Sequence, residues 1–178
     1  MQKLLPLALI GMLLAGCGPT SDRSLQTVAL DAWVDRLIKS PKSGSITVME
    51  KRVHSQVNKY RASRNLPPLR LNTVMMEQAR KHSQRMARKR KISHDGFDGR
   101  IKAINRRISY SSAAENVASN FGHDDPATVA VRGWIKSPGH HKNMIGDFDL
   151  TGIAIVKNNR GEYYFTQLFI KSRGSTSR

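Results

Sequence analysis

Residues 133–144 read GWIKSPGHHKNM and place two adjacent histidines directly behind a Ser-Pro-Gly step. A residue before proline is pushed out of the α region, so the helix that carries Ala127, Ala130, Val131 and Trp134 on one face must stop near Ser137. Ser137 then caps a second short helix. Pro138 takes the first helical position, where its missing N–H costs nothing, and His140 and His141 fall in the first turn beside unpaired backbone N–H groups. The positive end of a helix favours neutral imidazole, the form that accepts a proton or binds a metal. Successive helical residues point roughly 100° apart, so one of the pair at most faces a given cleft, and His140 is the expected one. The competing reading is two polar residues in a turn. A second candidate for chemistry is Glu115, the single acid in the stretch SSAAENVA. A carboxylate among small and apolar residues is either exposed by a turn or buried with partners. A buried one has its pKa raised by desolvation or lowered by a cation and hydrogen bonds.

The chain has one cysteine, Cys17, and it closes a distinctive start. Lys3 is a minimal positive region, Leu4 to Leu14 is a short apolar run, and Leu14-Ala15-Gly16-Cys17 ends it with small residues. Such a run is too short to span a bilayer comfortably and has the layout of a secretory signal over residues 1–16. The tetrad is similar to a bacterial lipobox, in which the cysteine is lipidated and becomes the new N-terminus. A mature body without thiols excludes disulfides and cysteine catalysis. Export also removes nucleic acid as a physiological partner. Gly18 after the cysteine leaves the cell membrane and the outer membrane both open as the lipid-anchored, exported location.

The elements that must position these groups follow from composition and periodicity. Thirty Lys and Arg against 13 Asp and Glu give a net charge of +17 over 178 residues, which speaks of anionic company or of solubility rather than of fold. Residues 17–45 read as a tether with a short amphipathic helix around Leu25 to Leu37, one that packs on the domain or lies on the membrane. One domain then occupies residues 46–171, before a basic disordered tail, 172–178. Thr47 and Glu50 have capping-box spacing ahead of a helix with Met49, Val53, Val57 and Tyr60 on its buried face. A second helix, about 72–91, buries Met75, Ala79, Met86 and either His82 or Ser83. Its far half carries Arg80, Lys81, Arg85, Arg88, Lys89, Arg90 and Lys91, either a solvated face or a footprint for anionic envelope polymer or lipid, which Arg100, Lys102, Arg106 and Arg107 extend. A short helical stretch is expected from Ile101 to Ile108. Two β-rich runs, 150–157 and 162–171, flank Asn158-Asn159-Arg160-Gly161 as a hairpin, and both of their faces are apolar. A sheet covered by helices on both sides is implied.

Ser93-His94, Ala114-Glu115-Asn116-Val117, Trp134 with Ser137-Pro138-Gly139-His140, and a hairpin ending in Thr166-Gln167-Leu168-Phe169 occur in an order that resembles the CAP superfamily. These are the cysteine-rich secretory, antigen 5 and pathogenesis-related proteins, and the short bacterial, SCP-like branch is the nearer likeness. The resemblance implies an α+β fold, an α-β-α sandwich with a central antiparallel sheet, and a cleft where His94, Glu115 and His140 meet. In several family members the matching residues bind a divalent metal such as zinc. Longer members place a second glutamate shortly after the helix tryptophan, whereas Trp134 is followed by Ile135, Lys136 and Ser137, with Asp95, Asp98 or Glu162 as conceivable substitutes. Two imidazoles and one carboxylate make either an open catalytic zinc set or a hydrogen-bonded structural triad. Two functions compete: a binding module held to the envelope by its basic face, and a hydrolase of peptidoglycan or peptide in which Glu115 and a histidine serve as acid and base.

Overall fold

The computed structural model describes residues 46–173. The signal-like run, Cys17, the tether and residues 174–178 lie outside the described residues. Nine elements follow in order: α1 (Ile46–Ala62), β1 (Arg70–Leu71), α2 (Thr73–Lys89), α3 (Phe97–Asn105), β2 (Tyr110–Asn120), α4 (Pro126–Lys136), α5 (Pro138–Met144), β3 (Leu150–Lys157) and β4 (Tyr163–Ser172). The strands form one sheet in the order β1-β3-β4-β2. The three long strands are antiparallel, and β1 adds a two-residue parallel edge against Leu150 and Thr151.

Alternation along the strands sorts the core into two layers. On one face Met75 and Ala79 of α2 and Ile101 and Ile104 of α3 pack against Leu150, Ala154, Leu168 and Ile170. Further along that face Met86 and Ala87 meet Val117 and Tyr164. The opposite face is covered by α1 and α4, whose Met49, Val53, Val57, Ala130, Val131 and Trp134 are buried with Ile153, Ile155, Phe165 and Phe169. The architecture is the expected α-β-α sandwich. Gly152 is required for the first layer to close, because a Cβ there would lie 2.3 Å from the Met75 carbonyl carbon.

Three local expectations are corrected. Glu50 does not reach back to cap α1; it is buried, accepts the Ile155 amide at 3.0 Å, and pairs with Arg80 at 2.8 Å. It thereby satisfies an amide of β3 that no strand pairs. The third helix begins at Phe97 rather than near Ile101. Both His82 and Ser83 face inward, since the Ser83 hydroxyl bonds the Ala154 carbonyl while His82 points toward α3. Of the two settings open for Glu115, the turn and burial with partners, the second holds: the stretch is β2, paired with β4 from Tyr110↔Ser172 to Asn120↔Tyr163, and Glu115 is buried.

The β2 edge is sealed by side chains rather than by another strand. Trp134 Nε1 donates to the Val117 carbonyl at 3.0 Å, and Asn143 Nδ2 donates to the Glu115 carbonyl at 3.2 Å. Buried Arg61 fixes the loop behind α5 by donating to the carbonyls of Pro67, Met144, Gly146 and Phe148.

Candidate functional site

Three segments converge on the outer edge of β2. Residue alternation sends the Glu115 side chain toward α2 and α3 and that of Asn116 toward α5. Asn116 Nδ2 donates to the His140 carbonyl at 3.1 Å, and Asn143 Nδ2 donates to Asn116 Oδ1 at 2.9 Å. Those two amides therefore dock α5, and with it His140, on the strand that carries Glu115. His94 arrives from the other layer, on the turn between α2 and α3. The histidines thus reach the site from opposite sides of the sheet, around its edge.

Glu115 is the centre of a buried network whose other hub is Arg100. The Arg100 guanidinium donates from Nε to Glu115 Oε2 at 2.9 Å and from Nη2 to Oε1 at 2.8 Å. Both side chains are 2% exposed. Arg100 also donates to the Asp95 carbonyl and to His82 Nδ1, at 2.8 and 3.0 Å. A guanidinium only donates, so His82 Nδ1 is an acceptor and its Nε2–H donates to the Ser93 carbonyl at 2.6 Å. Burial, reinforced by the Arg100 charge, lowers the His82 pKa and holds the ring neutral. This corrects the expectation that Arg100 extends the basic surface: it is sequestered by its carboxylate.

His94 Nδ1 donates to Glu115 Oε1 at 2.9 Å, and its side chain is 56% exposed. The carboxylate therefore fixes the tautomer and leaves Nε2 as the acceptor when the ring is neutral. His140 is half-buried, with Nδ1 2.9 Å from the Ser137 hydroxyl. Ser137 occupies the N-cap position of α5, but its hydroxyl goes to His140 and caps no backbone amide. Burial first, and then the proximity of His94, lowers the His140 pKa. His141 points elsewhere. Its Nε2 lies 2.8 Å from the Tyr60 hydroxyl, which accepts from Arg64 at 3.1 Å.

Among the described residues no group of three or more His, Cys, Asp and Glu side chains is arranged to hold a metal ion. The chemistry of the donors gives the reason. Both Glu115 oxygens are already engaged by a guanidinium, whose charge a divalent cation would oppose. Glu162 lies at the β3–β4 hairpin, bonded to Asn158, Tyr164 and Arg90, and Asp95 and Asp98 are exposed. A metal does not fit Glu115 in this arrangement.

The basic run is divided among different neighbours. Arg80 belongs to Glu50, Lys81 to Glu77 at 2.6 Å, and Arg90 to Glu162 at 3.3 Å. Arg85 lies close enough to the site to disfavour charge on His82 and Arg100, while Arg88, Lys89 and Lys91 are exposed. Arg100, Asn116 and Asn143 were missed as site residues from the sequence. Their only local signal is proximity to His94, Glu115 and His140.

The family model for cysteine-rich secretory proteins, CAP, matches residues 54–169. YlbC, an uncharacterized membrane protein of Bacillus subtilis, is 31% identical over 129 residues, 70% of this chain. The chain spans about a third, 35%, of that relative's length. Among solved structures, an outer surface protein of Borrelia burgdorferi superposes with a TM-score of 0.64 at 22% identity, over 75% of this chain and 100% of its own. An extracellular SCP-domain protein of Bacillus anthracis gives 0.60 at 24% identity, over 70% of this chain and 41% of its own. At these identities the structural likenesses speak for the fold.

Proposed function

The chain belongs to the cysteine-rich secretory protein family, and from that premise we propose that it is an exported module of a bacterial envelope. In this reading Cys17 carries the lipid anchor, in the cell membrane or the outer membrane. The basic face rests on anionic wall polymer or lipid, and the cleft beside His94 and His140 takes a small ligand. The relatives themselves, a membrane protein, an outer surface protein and an extracellular protein, support the location. The observation that carries binding over hydrolysis is the buried pairing of Glu115 with Arg100. Both oxygens of this carboxylate are taken up within the protein, by Arg100 and His94, so it has none left to present to a substrate. It is equally unsuited to a metal.

The test uses the full chain carrying Cys17→Ser, mixed with purified peptidoglycan and with isolated wall. Retention without release of soluble fragments, weakening steeply as salt rises, is the expected result. Salt-insensitive retention defeats the basic-face contact. A second reading rests on the His94–Glu115 hydrogen bond, which orients a largely exposed imidazole and leaves its Nε2 to accept, as a general base requires. Released fragments that disappear in His94→Ala would establish that hydrolase in place of the binding module.

A further inference from the structure

The end of the sheet away from the β3 N-terminus carries a second site. A pocket of about 500 Å³ opens between the last turn of α2 and the β3–β4 hairpin, and Arg88, Arg90, Lys157 and Arg160 line it together with Asn159. No acid lines it. Arg90 leans on Glu162, whose oxygens also take Asn158 and Tyr164, and the Lys157 ammonium stands 5.0 Å over the Tyr163 ring. Among the described residues neither Arg88 nor Arg160 forms an ion pair. The hairpin tip is pre-organised: Asn158 Oδ1 accepts the amides of Arg160 and Glu162, both at 3.0 Å, and Gly161 turns the chain at φ +83°.

Phe121 stands beside this pocket. It follows β2 directly, is 64% exposed, and is the most exposed large apolar side chain among the described residues. A Cβ built on Gly161 would lie 3.3 Å from its ring and 3.8 Å from Lys157 Cε, so ring, hairpin tip and lysine stem share one small region of surface. A single exposed apolar side chain is ordinary on its own. An aromatic ring set against several cations is the combination that membrane interfaces favour, with the ring at headgroup level and the charges on phosphates.

We propose that the pocket of Arg88, Arg90, Lys157 and Arg160, with Phe121 at its rim, is a docking site for the phosphate headgroups of an anionic lipid surface. The assignment rests on the envelope reading above and narrows it. The contact lies at the hairpin end of the sheet rather than along all of α2, where Arg80 and Lys81 are committed to Glu50 and Glu77. Lipid is favoured over a soluble phosphate polymer by Phe121, which a polymer in water gives no reason to expose.

The experiment is cosedimentation of the full Cys17→Ser chain with vesicles of phosphatidylcholine alone and of phosphatidylcholine with phosphatidylglycerol, beside retention on isolated wall. Binding is expected to the mixed vesicles only. Arg88→Ala with Arg160→Ala is expected to weaken it about 30-fold, whereas Lys51→Ala with Lys59→Ala, both exposed on α1 and equal in net charge, leaves it near the parent value. Phe121→Ser, which alters no charge, is expected to weaken it about tenfold. Unchanged thermal midpoints show that the variants are folded. Equal losses from the two double variants, or none from Phe121→Ser, overturn the site. Wall retention without vesicle binding overturns the lipid assignment and leaves the envelope reading standing; binding to neither overturns both.

Discussion

Arg100 and Glu115 meet between α3 and β2 as a bidentate pair with each side chain 2% exposed. The carboxylate that the family resemblance places in a catalytic or metal-binding cleft is thus held first by a neighbour within the protein. Removing one partner strands a buried charge. Arg100→Met and Glu115→Leu are each expected to cost about 3–5 kcal/mol in urea unfolding, and the double variant to recover most of that loss. Additive losses would mean that the two groups are not energetically coupled.

Chelation should leave the domain unchanged. With Glu115 neutralised by Arg100, EDTA is expected not to lower the thermal midpoint, nor zinc to raise it. A bound ion at a hundredfold excess over its dissociation constant would add about 2.7 kcal/mol. A zinc-dependent rise that Glu115→Gln abolishes would restore the metal reading.

Asp149 predicts the acid limb of stability. Burial acts to raise its pKa, but hydrogen bonds from the Ser172 amide and hydroxyl, aided by Arg70, outweigh burial and leave it lowered from 3.8. The unfolded chain therefore binds the proton first as pH falls. The stabilisation is present above pH 3.8 and is lost as pH drops through the lower folded value. Denaturation curves of Asp149→Asn across that window should show a shallower acid loss than the parent; identical slopes would refute the linkage.

Gly152 should tolerate no side chain. Because a Cβ there falls 2.3 Å from Met75 backbone, Gly152→Ala must push α2 away from β3 and is expected to cost about 1–3 kcal/mol in urea unfolding. A neutral result would mean that the helix shifts freely, which the burial of Met75 and Ala79 opposes.

The helices were legible wherever an apolar face repeats at helical spacing. Met49, Val53, Val57 and Tyr60 are buried as expected, and the Trp134 helix stops at Lys136 before the Ser-Pro step. The β3–β4 hairpin was legible from two apolar runs around a turn. The strand β2 was not, because SSAAEN lacks the β-branched and aromatic residues that mark a strand, and pairing with β4 supplies what propensity does not. The N-terminus of α1 misled for a related reason: capping-box spacing describes Glu50 in an isolated helix, whereas an unpaired β3 amide and Arg80 take its carboxylate here.

The sequence by itself determined the family, the helical faces and the residue types at the site, since these depend on local spacing and the order of motifs. Only the tertiary structure decided the state of those residues. Glu115 is separated from Arg100 by 15 positions and from His94 by 21, and sheet pairing brings them together out of water. Whether a carboxylate is free to act depends on which charge stands beside it once both are desolvated. No local pattern carries that information.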